Sequence, residues 1–245
     1  MLTIYGKREW LTILVIGLML TAATLLAGLW WLSILTVIMT GGGLSFFRDP
    51  HRRVPTQRGM VVSPADGCIT SIHEIENFEP LAEPAVCIRV FLSVFNVHVN
   101  RSPCHAVVHS ITYRSGEHRN AMSPDSAKVN ESNLIVFCHP TRGHRIAAVR
   151  QVAGLLARAI VCEARKGQIF QRGQRLGMIK LGSTTELYLP ASLHPQVLVE
   201  VGQHVKGGLT ILAETSTPEQ EAATAEAARP TDAAQNHSSS SQSST

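Results

Sequence analysis

Gly182-Ser183, about three-quarters of the way along the chain, is a pair that could do chemistry on itself. It sits inside a strand-like apolar run, Met178-Ile179-Lys180-Leu181 before it and Glu186-Leu187-Tyr188-Leu189-Pro190 after it. Glycine weakens a strand interior and marks a bend or a close backbone approach. Self-cleavage needs such a bond. A serine hydroxyl can attack the preceding carbonyl, because glycine carries no side chain to block the approach. An acyl shift to an ester followed by β-elimination would leave a pyruvoyl group on the new N-terminus, Ser183. The plain alternative is a β-bulge with a solvent-facing serine, and a lone Gly-Ser pair carries no more than that.

Two further residues are candidates by type. Asp66 lies in a Ser63-Pro64-Ala65-Asp66-Gly67 turn, and Asp-Gly is a common turn dipeptide. His98 lies in Asn96-Val97-His98-Val99-Asn100-Arg101, where it is either a satisfied polar group on a strand or a proton carrier near neutral pH. Arg101 is suited to a phosphate or a carboxylate. Lys180 reads as a solvated strand residue, and Asn130-Glu131 as a polar loop. No HExxH motif and no His-x-His cluster with a carboxylate suggests a metal. The five cysteines (Cys68, Cys87, Cys104, Cys138, Cys162) stand singly, as core thiols of a reducing compartment do.

The elements that must position these groups read mainly as β. Apolar runs recur between turn signals around Met60–Val62, residues 68–72, 86–92, 106–113, 133–137 and 146–152. That spacing suggests a barrel or sandwich rather than βαβ units. Residues 59–69 and 197–212 resemble the half-hairpins of lipoyl-type sandwiches, and residues 164–177 share their glycine cadence. Upstream, residues 11–39 carry no charge and exceed the ~20 residues needed to cross a bilayer. Lys7 and Arg8 precede this run and Arg48, Arg52, Arg53 and Arg58 follow it, so a helical hairpin (11–27 and 29–40) keeps both basic flanks on one side, whereas a single span does not.

The organisation expected is a membrane-associated segment over 1–45, a β-rich catalytic body over 46–213 and a disordered tail over 214–245, rich in Ser, Ala and Glu. The tail holds Glu214, Glu219, Glu221, Glu226 and Asp232 against Arg229. Taking that −4 from the overall +4 leaves +8 on residues 1–213. A basic body beside an apolar segment suits an anionic lipid surface. Without basic residues interleaved with aromatics, nucleic acid is not an expected partner.

Five motifs in order give a resemblance: Phe46-Phe47-Arg48-Asp49-Pro50, Pro64-Ala65-Asp66-Gly67, Asn96-Val97-His98-Val99-Asn100-Arg101 followed by Pro103, Gln151-Val152-Ala153-Gly154-Leu155-Leu156-Ala157-Arg158 with Ile160-Val161-Cys162, and Arg175 to Ser183. Over residues 46–212 the chain resembles the short, bacterial-type phosphatidylserine decarboxylases. The resemblance implies a proenzyme that cuts itself between Gly182 and Ser183 into a β chain (1–182) and an α chain (183–245) that stay together as a heterodimer. Ser183 would become a covalent pyruvoyl group. Asp66 would activate the serine and His98 would handle a proton in decarboxylation. The substrate would be phosphatidylserine in the cell membrane, with the catalytic body on the cytoplasmic face. Some relatives place a second histidine where Arg101 stands, so an Asp-His-Ser relay is not complete here. Two other departures are Asn130-Glu131-Ser132 for the usual Asn-Glu-Arg and a single Arg158 for paired arginines. Amino-acid decarboxylation needs an electron sink that side chains do not offer, and a pyruvoyl carbonyl supplies one. Two other readings compete. A membrane-anchored β-sandwich adaptor without activity predicts an intact chain, and a serine hydrolase lacks a Gly-x-Ser-x-Gly elbow around Ser183.

Overall fold

In the computed structural model, which describes residues 1–119, 129–154, 160–180 and 182–216, the uncharged N-terminal run is a hairpin of two helices. Helix α1 (Lys7–Leu26) and helix α2 (Trp30–Phe46) are joined at Gly28, whose φ of +71° is the left-handed value a tight reversal needs. Hydroxyls bond across the pair, Thr21 to Thr36 at 2.9 Å and Thr24 to Ser33 at 2.7 Å, as in helices that associate without water to drive them. Gly17 lets Thr40 approach to where a Cβ would otherwise stand. The outward faces are apolar, including Leu18, Met19, Trp30, Ile38 and Met39. The 23 residues of Ile4–Leu26 are long and apolar enough to cross a membrane, while α2 is the shorter apolar helix. Both elements outrun the expected 11–27 and 29–40. α1 begins at the charged Lys7, and α2 runs through Gly41-Gly42-Gly43 because α1 packs alongside, Ile13 against Gly43. Where the hairpin closes, Thr3 N–H donates to Phe47 O and Asp49 N–H to Met1 O, both at 2.8 Å, so its two flanks leave on the same side.

The rest is mainly β. One antiparallel sheet curls into a half-barrel and contains, in spatial order, β13 (His204–Val205), β2 (Gly67–Phe78), β3 (Glu83–Leu92), β11 (Ser183–Pro190), β7 (Arg145–Val152), β6 (Ser132–Cys138), β5 (Ala106–Arg114) and β9 (Ile169–Phe170). Two three-stranded sheets close it. One orders β1 (Met60–Val62), β14 (Ile211–Glu214) and β12 (Gln196–Val197), and the other β4 (Val99–Arg101), β10 (Arg175–Ile179) and β8 (Ile160–Cys162). Alternate residues of the large sheet face a core that includes Ile88, Val90, Leu92, Val149, Leu187 and Leu189. The opposite face is covered too, by Phe78, Cys87, Ala148 and Tyr188, with the Phe78 and Tyr188 rings stacked at 4.0 Å. Strand β11 is therefore buried at every residue.

The two half-hairpin segments seen in the sequence interlock. Met60 pairs with Glu214 and Val62 with Ile211, while Gly67 pairs with Val205 and Cys68 with His204. The expected tail boundary at 214 shifts accordingly. Glu214 closes β14, Thr215 N–H donates to Gly59 O at 2.8 Å and Ser216 N–H to Leu193 O at 3.1 Å. The rest of that segment, 217–245, lies outside the described residues.

Candidate active site

Gly182 has φ +62°, a left-handed conformation that favours glycine, and nothing stands within 4 Å of the position a Cβ would take. The turn delivers Ser183 as the first residue of β11, opposite Leu92 of β3. Ser183 is fully buried and its Oγ has no hydrogen-bond partner. Buried hydroxyls almost always find one, and an orphan among them is a place to look for reactivity.

His98 immediately precedes β4, and its carbonyl accepts from Ile179 N–H at 3.3 Å, four residues before Ser183. Its imidazole is fully buried against the Phe46 ring, with ring centroids 4.2 Å apart. Burial pushes its pKa down to about 4, against a smaller opposing pull from the hydrogen bond to Asn96, so the ring is neutral at pH 7. Nδ1 lies 2.9 Å from the Asn96 carbonyl, which only accepts, so Nδ1 carries the proton and Nε2 presents a lone pair. That Nε2 also has no partner. The site thus holds a buried hydroxyl that can donate and a buried nitrogen that can accept, both unpaired.

A satisfied network ties together the segments that carry them. Asn100 Nδ2 donates to Thr185 Oγ1 at 3.0 Å, Gln151 Nε2 to Asn100 Oδ1 at 2.9 Å and Asn133 Nδ2 to Gln151 Oε1 at 3.1 Å. In extended chain, residues two apart share a face. Ser183 therefore shares a face of β11 with Thr185, and the Asn100–Thr185 bond ties β11 to β4, whose first residue follows His98.

Asp66 stands across the sheet. The strand order β2, β3, β11 sets Gly67 and Ser183 on either side of β3, so the backbone at Asp66 lies two strand spacings, roughly 10 Å, from Ser183. Its carboxylate is engaged on both oxygens. Oδ1 accepts from Arg52 Nη1 at 2.7 Å and from Gly207 N–H at 2.8 Å, and Oδ2 from Arg52 Nη2 at 2.8 Å. Arg101 finds a carboxylate rather than a phosphate, with Nη2 2.5 Å from Asp49 Oδ1 and Nη1 donating to Gly173 O at 3.0 Å. Arg175 completes that cluster on Asp49. Lys180, partly exposed, ion-pairs with Glu9 of α1, tying the hairpin to the segment that leads towards Gly182. Asn130 does lie in the connection between β5 and β6, at an isolated bridge to Glu117, but it is not a solvated loop residue. It is fully buried, accepting from Arg119 N–H at 2.9 Å and donating to Ala153 O at 2.8 Å.

Sequence reasoning named Ser183, His98, Asp66 and Gly182 but singled out neither Arg52 nor the amide network. Asn100 and Gln151 stand inside the ordered motifs, which was the available signal.

An unpaired donor and an unpaired acceptor, both buried in a β body, suit an enzyme better than a docking module. Comparison with known proteins agrees. The family model described as phosphatidylserine decarboxylase matches residues 44–213. A "phosphatidylserine decarboxylase proenzyme" of Rhodopirellula baltica is 40% identical over 209 residues, covering 85% of each chain. Proteins of the same name from Solidesulfovibrio magneticus (42% over 202 residues, 81% of this chain and 92% of the relative) and Carboxydothermus hydrogenoformans (40% over 182 residues, 74% and 84%) are similarly close. The chain belongs to the phosphatidylserine decarboxylase family and is an enzyme of the carboxy-lyase class. The adaptor reading falls with that membership.

Proposed function

We propose that the chain cuts itself between Gly182 and Ser183 and then decarboxylates phosphatidylserine to phosphatidylethanolamine at a bilayer. The observation that carries this reading is the pair of unpaired buried atoms, Ser183 Oγ and His98 Nε2, behind a left-handed glycine. In the first step Ser183 Oγ–H gives its proton to His98 Nε2 and adds to the Gly182 carbonyl. The C–N bond then breaks, the nitrogen taking that proton, and an ester links the two residues. Loss of the Ser183 Cα proton expels the Gly182 carboxylate. One water hydrolyses the resulting imine, releasing ammonia and leaving a pyruvoyl group at residue 183. The residues present fit that group, since Ser183 is buried and the space beside Gly182 is open.

The pyruvoyl carbonyl supplies the electron sink for losing CO2 from an amino acid. His98 Nε2 is the site that holds the proton destined for the carbon from which CO2 departs, as general acid–base catalysis requires. Asp66, with both oxygens engaged, steadies Arg52 and the Gly207 turn. It acts on Ser183 through the field at His98, where its charge is felt.

The cut pieces would stay together as a heterodimer. Strand β11 is held on one side from Ser183–Leu92 to Pro190–Ala85 and on the other from Thr184–Val152 to Tyr188–Ala148, and β13 and β14 pair with β2 and β1. The hairpin returns its basic ends, Lys7 and Arg8 in the first turn of α1 and Arg53 and Arg58 after α2, to one side. That arrangement supports a catalytic body on the cytoplasmic face.

The test is an intact-mass measurement on the purified chain beside Ser183→Ala, followed by incubation with phosphatidylserine vesicles. Two fragments meeting at 182/183, the smaller blocked by a ketone, and conversion to phosphatidylethanolamine are expected of the parent alone. An uncut parent of 26.6 kDa sinks the self-cleavage step. A cut parent that leaves the lipid unchanged sinks the substrate.

A further inference from the structure

We propose that Val94 and Phe95, at the tip of the turn between β3 and His98, enter the bilayer beside the reacting groups and seat the protein on lipid at that point. Single exposed apolar side chains are ordinary on protein surfaces. These two are adjacent, and outside the hairpin region no large apolar side chain among the described residues is more exposed than Phe95, at 84%.

The turn is built to hold them out. Ser93 N–H and Oγ–H donate to Asn96 Oδ1 at 2.9 and 2.7 Å, and Asn96 N–H donates to Ser93 O at 3.0 Å. The Phe95 carbonyl accepts from Arg48, and the Asn96 carbonyl from His98 Nδ1. These bonds fix the turn with its apolar side chains outward, the arrangement of an anchor seated at the boundary between headgroups and acyl chains. The occupant follows from continuity with the hairpin. Arg48, two residues past the end of α2, holds the turn, and Phe46, the last residue of α2, lies on His98. The tip therefore sits where the apolar hairpin meets the body. Ser183 pairs with Leu92, two residues before Val94, so lipid held by the tip arrives next to the nucleophile.

The inference rests on the proposed membrane reading of the same site, and its test is chosen to fail separately. p-Benzoylphenylalanine placed at Phe95, or as a control at Tyr113 (60% exposed, on β5), is irradiated in the full chain bound to mixed phosphatidylserine and phosphatidylcholine vesicles. A phospholipid-mass adduct at 95 and none at 113 is expected, whether or not the lipid is decarboxylated. No lipid adduct at 95, or a crosslink to a second copy of the chain, overturns the proposal, the latter marking a protein interface. A kinetic arm sharpens it. Phe95→Ser is expected to raise KM for vesicles by about tenfold with kcat changed by less than about twofold, and an unchanged KM counts against insertion.

Discussion

Two sets of buried polar groups, meeting on β11 and on the segment that runs into β4, are treated in opposite ways. Thr185, Asn100, Gln151 and Asn133 form a continuous line of hydrogen bonds between 2.9 and 3.1 Å. Ser183, two residues before Thr185, and His98, two residues before Asn100, keep Oγ and Nε2 unpaired. A buried polar group without a partner is destabilising by roughly 1–3 kcal/mol. The fold tolerates that at the pair and avoids it next door. The satisfied set ties strands together, and on the self-cleaving reading the unsatisfied set is what reacts.

That contrast breaks most sharply at His98. His98→Leu removes the acceptor for the serine proton, and cutting is expected to slow by about a hundredfold or more, followed as disappearance of the full-length band. Cutting at the parent's rate would show that the proton goes elsewhere. Asn100→Leu attacks the other set and strands Thr185 Oγ1 and Gln151 Nε2. In the uncut Ser183→Ala background it should lower unfolding free energy in urea by about 3 kcal/mol. A loss below about 1 kcal/mol would mean the chain of amides is not what holds β4 to β11.

Acid probes the pair without mutation. His98 is held at about 4 in the fold against 6.5 when unfolded, so the unfolded chain binds the extra proton between those values. Stability from this group is fully present above pH 6.5 and falls as pH drops towards 4. From pH 7 to 4.5 the loss is about 2 kcal/mol, and His98→Leu should remove that part of the slope. The smallest effect is expected at Gly182→Ala. Its Cβ meets open space, so only the left-handed φ of +62° counts against it, about 1 kcal/mol in the uncut background.

The strands were the most legible part of the sequence, because runs such as Val86-Cys87-Ile88-Arg89-Val90-Phe91-Leu92 are apolar on both faces of a sheet that is covered on both faces. Strand β2 was read only as far as Ile72. Its continuation through His73, Glu74 and Glu76 is exposed and polar, and pairing with β3 rather than composition keeps it extended. The hairpin was legible from its uncharged run, though not its start at Lys7. Ser183 and His98 were legible as types in ordered motifs. The amide chain was not, because its partners are 85, 51 and 18 residues apart and each alone looks like an ordinary strand residue. The engagement of Asp66 by Arg52 was hidden for a similar reason, since Arg52 read as one of several basic residues flanking a membrane segment.

The seating of β11 between β3 and β7 gives maturation a logic of inspection. On the self-cleaving reading, the bond before Ser183 acquires its left-handed glycine and its neighbouring imidazole only once strands drawn from residues 83 to 190 have assembled around it. A misfolded copy stays inert, and each active copy certifies its own folding. The passage is also one-way, because the serine is consumed and the connection that guided β11 into the middle of the sheet is gone. A matured molecule that unfolds must then find its centre again from a separate piece.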